Sequence, residues 1–386
     1  MAEFAPWAEV DLAAIAANVS VIKRHLGPDV ALMAVVKGNA YGHGAAAVAA
    51  TCLEQGVAML GVARLDEAVE LRQAGIRAPI LILNPTAPAD AATLQEHDLA
   101  AVVPNLALAR ELAARLPQGP PLTVHFKVDT GMGRVGSLAQ PGADGCPDPQ
   151  RIARVVGDVV TVGTLPQLRL EGLCTHLTCG GSDDAAPTRL QCQILQAILQ
   201  ELERAGVAPR WRHLAASGAT FLHPFSQMNL VRPGIALYGY NVPGGTDGLT
   251  PAMTLKTRIM ELRHLMPGDS VSYDMTHRVT TPATVATVAL GYGDGYDRRF
   301  SNCGKMLVRG VAAPILGRVC MDMTMLDVTH IPQAAVGDEV VAFGRQGEAL
   351  LPADAIAATI GTISYEIVTG LTRRVPRKYI LPACAR

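Results

Sequence analysis

The hydrophobic pattern between residues 30 and 240 alternates between short apolar runs and helical stretches. The clearest helical stretch is 189–205, where Leu190, Ile194 and Ile198 recur at helical spacing on one face. Eight apolar runs predict strands over 31–37, 59–63, 79–84, 100–104, 122–128, 168–177, 211–217 and 230–238. Short strands that alternate with helices are typical of βαβ units in a parallel sheet. Eight such strands favour a (β/α)8 TIM-type barrel over an open sheet.

The pattern changes after residue 240. Residues 241–251 are rich in Gly and Pro and have no periodicity, which predicts a linker. Beyond it, residues 352–360 predict one helix, and the remaining runs alternate with period two, at 253–262, 270–272, 284–290, 305–308, 314–319, 324–327 and 338–343. The chain is therefore predicted to be an α/β protein with an N-terminal barrel over 1–240 and a C-terminal, mostly antiparallel β domain over 241–386. A Pro- and Gly-rich loop insertion is expected at 140–150.

Composition excludes several classes of function. Of 386 residues, 49% are hydrophobic and only 17% are charged, which excludes an intrinsically disordered chain. The 33 basic and 34 acidic residues give a net charge of −1, so nothing favours binding to nucleic acid or to an anionic membrane surface. Such a charge-poor chain must either bury an unusually large core or cover part of its surface with another subunit, and an oligomer is expected.

The compartment is expected to be the cytoplasm. The sequence contains no uninterrupted apolar run of about 18 residues, and its N-terminal segment lacks the basic and apolar regions of a secretory signal. Eight cysteines form no CxxC pair, which fits a reducing compartment. Cys174 and Cys179 flank His176, but a structural metal site needs four ligands, so no metal site is predicted.

Candidate chemistry lies where the barrel strands end, because that face carries the active site in such barrels. Lys37 ends the first predicted strand, and partial burial there would lower the pKa of its amine and allow it to bond to a carbonyl. The alternative is a lysine that extends from a strand end into solvent. Small residues after the last two strands, Ser217-Gly218 and Gly234-Ile235, would let backbone N–H groups approach a phosphate. Together these positions favour pyridoxal 5′-phosphate, although each glycine alone is consistent with a simple turn.

Eight motifs in order make the resemblance to a known family specific. They lie at 34–44, 127–136, 175–176, 231–239, 271–274, 291–295, 317–322 and 363–366. Over essentially its whole length the chain resembles bacterial alanine racemases, which are fold-type III pyridoxal-phosphate enzymes. The resemblance implies an isomerase that interconverts L-alanine and D-alanine by two-base proton transfer at Cα, and that supplies D-alanine for peptidoglycan synthesis. It also implies a homodimer whose active sites are shared between subunits.

Three alternatives stay open at this point. The first is a racemase for a broader set of small amino acids, such as serine. The second is an amino-acid decarboxylase of the same fold type, although such enzymes place an acid where this chain has Arg232. The third is a pyridoxal-phosphate carrier protein with the same barrel, although such carriers lack a second domain like 241–386.

The resemblance assigns roles around the cofactor. Lys37 matches the lysine that carries the cofactor, His176 matches the residue that lines the cofactor ring, and Arg232 matches the residue that faces the pyridine nitrogen. A guanidinium can only donate hydrogen bonds, so Arg232 would keep that nitrogen unprotonated and weaken the ring as an electron sink. The residues that match the phosphate-binding positions are Tyr41, Ser217, Gly234, Ile235 and Tyr365.

The resemblance also assigns the proton-transfer and substrate positions. Lys37 and Tyr273 match the two bases, one for each face of a planar Cα, since racemisation needs a proton to arrive on the opposite face. Arg134 matches the arginine that contacts both the substrate carboxylate and the phenol, and Met321 matches a backbone donor to that carboxylate. The partner subunit is expected to supply Tyr273, Met321 and Tyr292. Residues that match the surroundings of the entrance are Tyr292, Cys320 and Asp322.

Three further positions modify this picture. Lys127 matches a lysine that is carbamylated in many family members, with an ordinary contact to Asp129 as the alternative. Gly38 stands where the family usually has Ala, and Ala216 stands where it usually has Asn. These two departures leave the proton-transfer residues intact.

Overall fold

The computed structural model describes residues 4–240 and 248–381. The predicted linker 241–251 therefore lies mostly outside the described residues. In this part of the chain the strands are β1 Trp7–Asp11, β2 Ala31–Val35, β3 Met59–Val62, β4 Ile80–Pro85, β5 Ala100–Val103, β6 Leu122–Asp129, β7 Ser137–Leu138, β8 Leu168–Cys174, β9 Trp211–His213, β10 Leu230–Val231, β11 Met253–Leu265, β12 Ser270–Val271, β13 His277–Arg278, β14 Ala283–Val288, β15 Lys305–Val308, β16 Val311–Pro314, β17 Thr324–Asp327, β18 Glu339–Gln346, β19 Ala349–Leu351 and β20 Arg377–Ile380.

The helices are fewer and connect mainly the strands of the first sheet. They are α1 Leu12–Arg24, α2 Lys37–Tyr41, α3 Ala45–Glu54, α4 Leu65–Gln73, α5 Ala91–Glu96, α6 Leu106–Arg115, α7 Pro149–Gly163, α8 Ala186–Arg204, α9 Ser217–Leu222, α10 Ala353–Thr359 and α11 Ser364–Thr369. None of the described helices is long and apolar enough to span a membrane.

The first sheet is the predicted barrel. Its parallel strands follow the order β10-β2-β3-β4-β5-β6-β8-β9. The two end strands approach each other where the Arg232 N–H donates to the Ala215 carbonyl at 2.9 Å and Ala216 forms a bridge with Arg232. This contact nearly closes the sheet into an eight-stranded TIM-type barrel, which confirms the predicted fold. Helices cover the strands from outside, which explains why β2–β5 are almost continuously apolar rather than alternating.

The second sheet contains most of the predicted antiparallel strands together with strands that were not predicted, among them the N-terminal β1, whereas the predicted run 270–272 forms β12, which pairs with β13 in a separate two-stranded sheet. Its main path is β16-β15-β18-β11-β1-β20, with β14 on β11 and β17 on β14. β1 pairs antiparallel with β11 and parallel with β20, so the start of the chain is bound into the sheet formed by its end. The division of the chain at residue 240 stays a prediction. β1 precedes that residue in the chain but lies in the second sheet.

Several predicted elements end earlier than expected. The predicted strands 211–217 and 230–238 stop at His213 and Val231, and the residues that follow form α9 and a 3-10 turn at Ile235–Tyr238. The predicted strand 314–319 is wrong, because β16 ends at Pro314 and Gly317 turns the chain with a φ of 72°. α7 was not predicted; it begins at Pro149, within the last residues of the predicted 140–150 loop, where the Asp148 side chain accepts the N–H groups of Gln150 and Arg151.

Candidate active site

A cavity of about 430 Å³ lies at the ends of the barrel strands. Its walls come mainly from segments that follow strands β2, β6, β8, β9 and β10, together with residues of β4 and β5 and one residue of α11. Ten of the residues to which the resemblance assigns a role line this cavity, namely Lys37, Tyr41, Lys127, Arg134, His176, Ser217, Arg232, Gly234, Ile235 and Tyr365. The fold therefore gathers the predicted cofactor-binding positions in one place.

Lys37 is held by an unusual backbone turn. Residues Gly38–Tyr41 all have φ between 51° and 63°, which is the left-handed region. Gly38 adopts this conformation without strain, whereas the non-glycine residues after it do not. Two hydrogen bonds secure the turn: the Gly38 N–H donates to Glu67 Oε1 at 2.6 Å, and the Ala45 N–H donates to Asn39 Oδ1 at 2.8 Å. Strain of this kind persists where surrounding structure holds it, which is common at functional sites.

The amine of Lys37 is shifted toward its neutral form. Burial lowers its pKa first, and the positive charges of Arg134 and Arg232 lower it further, while Glu67 opposes the shift. A lowered pKa increases the fraction of amine that can act as a nucleophile or as a base.

The loops after β9 and β10 form a cradle with little side-chain bulk. The Ser217 hydroxyl, at the start of α9, accepts the Gly234 N–H at 2.9 Å and the Ala236 N–H at 3.3 Å. A Cβ at Gly234 would lie 2.9 Å from Cζ of Tyr41 and closer still to its hydroxyl oxygen. A Cβ at Gly218 would lie 2.8 Å from the Gly180 carbonyl oxygen. Both glycines are therefore required for the close approach of these loops.

Arg232 is buried at the base of the cavity, with 6% of its surface exposed. Its Nη1 donates to His213 Nδ1 at 2.8 Å, and its Nη2 donates to the Thr175 and Leu214 carbonyls at 2.9 and 3.1 Å. Nη2 also lies 3.2 Å from His176 Nδ1. Burial lowers the pKa of Arg232, but a guanidinium remains protonated. These contacts fix the orientation of the guanidinium plane.

Two buried histidines extend this contact away from the cavity. Because Arg232 donates to Nδ1 of His213, His213 carries its proton on Nε2 and donates to His125 Nδ1 at 2.8 Å. Burial and the charge of Arg232 lower the pKa of His125 to about 3, so the ring stays neutral. A Cβ at Gly172 would lie 2.6 Å from Cγ of His125, so this glycine makes room for the ring. Neither histidine was predicted as functional from the sequence, because a single histidine inside a strand resembles an ordinary core position.

Lys127 and the loop that carries Arg134 line the cavity from β6. Burial is the main cause that lowers the pKa of Lys127. The Asp129 carboxylate accepts the N–H groups of Gly131 and Gly133 at 3.0 and 3.1 Å, so it shapes the turn that leads to Arg134. Arg134 is exposed at the cavity mouth in the single chain.

The remaining predicted residues lie on a different surface of the same chain. An open cavity of about 600 Å³ in the second sheet is lined by Tyr273, Cys320, Met321 and Asp322. Tyr273 is 66% exposed and Met321 is 52% exposed, which is unusual for large apolar groups. Within one chain, therefore, the described residues do not bring Tyr273 to the cavity that contains Lys37.

Hydrogen bonds organise the segment that carries Met321. The Tyr292 N–H donates to the Cys320 carbonyl at 3.0 Å, and the Gly293 N–H donates to the Met321 carbonyl at 2.8 Å. Arg374 Nη2 donates to Asp322 Oδ1 at 2.6 Å. The predicted entrance residues thus form one hydrogen-bonded unit. No group of three potential metal ligands occurs within residues 4–240 and 248–381.

Comparison with known proteins identifies related chains. The family model described as "Alanine racemase, N-terminal domain" matches residues 10–242, and "Alanine racemase, C-terminal domain" matches residues 252–379. The alanine racemase of Desulfosudis oleivorans is 44% identical over 98% of this chain and 97% of its own, and that of Desulforamulus reducens is 42% identical over 97% and 98%.

Solved structures agree with these matches. An alanine racemase of Clostridium difficile 630 aligns with a TM-score of 0.90 at 33% identity, and covers 98% of this chain and 96% of its own. An alanine racemase of Bacillus anthracis with bound L-Ala-P aligns with a TM-score of 0.88 at 37% identity, over 98% and 95% of the two chains.

Proposed function

The chain belongs to the alanine racemase family, and from this premise we propose that it interconverts L-alanine and D-alanine by proton transfer at Cα with pyridoxal 5′-phosphate as cofactor. The observation that carries the proposal is one cavity that contains a lysine amine of lowered pKa, a buried guanidinium and a glycine-walled cradle. D-alanine made in this way would supply peptidoglycan synthesis in the cytoplasm.

The residues of this cavity fit the cofactor. Lys37 would hold it covalently, His176 would line its ring, and Arg232 would donate to its pyridine nitrogen. Gly218 and Gly234 let these loops pack closely against the Gly180 backbone and Tyr41, and the Ser217 hydroxyl, which accepts two backbone N–H groups, keeps its own hydrogen to donate to a phosphate. When bound, pyridoxal phosphate supplies an aldehyde that bonds to amines and a ring that withdraws electrons from Cα. The phosphate would be bound by Tyr41, Ser217, Gly234, Ile235 and Tyr365.

Arg232 limits how long negative charge persists at Cα. Its guanidinium is fixed by His213 and by backbone carbonyls, and it can donate a hydrogen bond but cannot accept one. A pyridine nitrogen that faces this guanidinium would stay unprotonated, so the ring would withdraw electrons less strongly than opposite an acid. Rapid return of a proton to Cα is then favoured over transamination or loss of carbon dioxide.

Two bases on opposite faces of Cα complete the reaction. Lys37 takes or returns the proton on one face, and Tyr273 of the partner subunit does so on the other. The exposure of Tyr273 in the single chain supports this arrangement, because the second-sheet cavity would be covered when two copies associate. We therefore propose a homodimer in which the domain over 241–386 of each protomer completes the other's barrel cavity.

The substrate would be oriented by groups from both subunits. Arg134 would bind the alanine carboxylate and stabilise the phenolate of Tyr273 electrostatically, and the backbone of Met321 would contribute a second donor to the carboxylate. Lys127 lies beside Arg134 in the cavity and would add negative charge there if carbamylated. The entrance of the shared site would be formed by Tyr292, Cys320 and Asp322.

The direct test is to follow both enantiomers of alanine by chiral chromatography in deuterium oxide, with and without added pyridoxal phosphate. We expect interconversion in both directions, cofactor dependence, and deuterium at Cα of the product. Binding of the cofactor without Cα exchange would contradict the proposal and favour a carrier protein. Faster turnover of serine than of alanine would favour the broader racemase, and carbon dioxide release would favour a decarboxylase.

The position of the cofactor is tested separately. Borohydride reduction of the loaded protein, followed by peptide mass spectrometry, should locate the modified residue at Lys37. Modification at another lysine would contradict the assignment of the cavity.

A further inference from the structure

Gln191 is a buried polar residue on a mostly apolar helix face. It lies in α8 with 3% of its surface exposed, on the side of the helix that also buries Ile194, Leu195 and Ile198. Burying an amide without hydrogen bonds is costly, so its partners explain why it is there. Sequence reasoning gave this position no role, because the helix pattern marks it only as core-facing.

Both ends of the Gln191 amide are fully used. Its Nε2 donates to Thr130 Oγ1 and to the His176 carbonyl, both at 3.0 Å. Its Oε1 accepts the Thr178 backbone N–H at 2.9 Å and the Thr178 hydroxyl at 3.0 Å. An amide nitrogen has two hydrogens and an amide oxygen has two lone pairs, so each is matched by a partner.

These partners belong to two loops that carry different parts of the cavity. Thr130 lies at the end of β6 and begins the loop to Arg134, whereas His176 and Thr178 follow β8. The hydroxyls of Thr130 and Thr175 are 2.8 Å apart, and the Thr175 carbonyl accepts a hydrogen bond from Arg232. A single side chain from α8 therefore joins the loop that would bind substrate to the residues that would contact the cofactor ring.

We propose that Gln191 is a positioning residue that sets the relative placement of Arg134 against His176 and Arg232. The loop to Arg134 has few other restraints at its start, where the Asp129 carboxylate holds Gly131 and Gly133 and Gln191 holds Thr130. Arg134 is exposed in the single chain, so its placement depends on the backbone of this loop. The kinetic consequence of this proposal rests on the proposed function.

Two substitutions remove the connection in different ways. Gln191→Met keeps the length of the side chain but has no hydrogen-bonding amide, so both loops lose their shared partner. Thr130→Val keeps the shape of threonine but removes only the hydroxyl that Gln191 and Thr175 contact, and Thr130→Ser restores that hydroxyl. Gln193→Met is the matched control, because Gln193 is exposed on the same helix.

Hydrogen exchange measured by mass spectrometry on the full, cofactor-loaded chain tests the connection without reference to activity. Loss of a buried hydrogen bond changes a local opening equilibrium by about tenfold, so exchange over 130–138 and 175–181 should rise about tenfold in Gln191→Met. Thr130→Val should reproduce the rise over 130–138, and Thr130→Ser and Gln193→Met should match the wild type. Unchanged exchange in both Gln191→Met and Thr130→Val would refute the connection.

Kinetics and the visible spectrum of bound pyridoxal phosphate test the positioning role. In Gln191→Met we expect the KM for alanine to rise about tenfold while kcat changes less, since Lys37 and Tyr273 are not joined by Gln191. The absorption of the bound cofactor should shift because His176 and Arg232 are displaced. Faster exchange with unchanged KM and unchanged spectrum would refute positioning and leave a purely structural role. A wild-type chain that does not racemise alanine would instead refute the proposed function, and the exchange data would still decide the connection.

Discussion

Gly234→Ala perturbs the cradle by a single methyl group. The backbone at Gly234 has φ of −118°, so alanine meets no left-handed strain there and the effect is purely steric. The new Cβ would lie 2.9 Å from Cζ of Tyr41. The Tyr41 ring cannot simply move away, because it is 8% exposed and packs between Tyr238 and Tyr365 at centroid distances of 5.0 and 5.9 Å.

The expected magnitude follows from overpacking in a rigid environment. Insertion of a methyl group into a packed core costs about 1–3 kcal/mol of the free energy of unfolding. Because Gly234 and Tyr41 both belong to the proposed phosphate cradle, the same displacement should weaken binding of pyridoxal phosphate by about tenfold or more, which corresponds to about 1.4 kcal/mol.

Gly157→Ala is the control, because there the added methyl group should stabilise the chain instead of destabilising it. Gly157 is exposed within α7, and an added Cβ would meet nothing within 4 Å. Replacing glycine by alanine inside a helix stabilises by about 0.5–1 kcal/mol. Denaturant unfolding of the cofactor-free chains measures the change in the free energy of unfolding. Titration with pyridoxal phosphate measures the change in cofactor affinity. The steric argument would be refuted if Gly234→Ala had the stability and the cofactor affinity of the wild type while Gly157→Ala showed the expected gain in stability.

Three further predictions concern the proposed bases and a buried histidine. Lys37→Ala should abolish racemisation, the visible absorbance of covalently bound cofactor and its trapping by borohydride; remaining racemisation, or cofactor trapped on another lysine, would contradict this. Tyr273→Phe should retain that absorbance but slow the reaction of L-alanine more than that of D-alanine, as measured by isotope exchange from each enantiomer, and equal rates to the wild type would exclude Tyr273 as a base. The pKa of His125 is held at about 3 by burial and by Arg232, so below the ordinary value of about 6.5 the unfolded chain binds a proton that the folded chain does not. Because of this group, the free energy of unfolding should fall by about 1 kcal/mol per pH unit between pH 6.5 and pH 4. His125→Phe should reduce that slope. His264→Gln, at an exposed position, should leave it unchanged.

The barrel could be predicted from sequence because several of its strands are apolar on both faces and helices separate the strands regularly. The prediction lost accuracy where strands end in turns, as at Ser217 and Ile235, since local apolar character continues after the backbone leaves the sheet. β1 was missed because its partners, β11 and β20, lie more than two hundred positions along the chain. Local patterns do not report such pairings.

In the candidate site, too, some residues could be identified from the sequence and others could not. Lys37 and the small residues of the cradle could be identified from the positions where strands end. His125, His213 and Gln191 could not, because their chemistry depends on contacts between elements far apart in sequence. Within one chain Tyr273 is separate from Lys37, and this separation is explained only if a second copy of the chain contributes to the site. The contacts between two copies cannot be seen in a single sequence.

Complementation between two inactive chains tests the shared site most directly. Lys37→Ala and Tyr273→Phe chains with different affinity tags would be produced together, and the mixed dimer purified through both tags. If each site takes Lys37 from one subunit and Tyr273 from the other, one of its two sites combines both defects and the other is intact. The account predicts about half of the wild-type racemase activity for this mixed dimer. Activity no greater than the mean of the two parent variants would show that Lys37 and Tyr273 act within the same chain, and would contradict it.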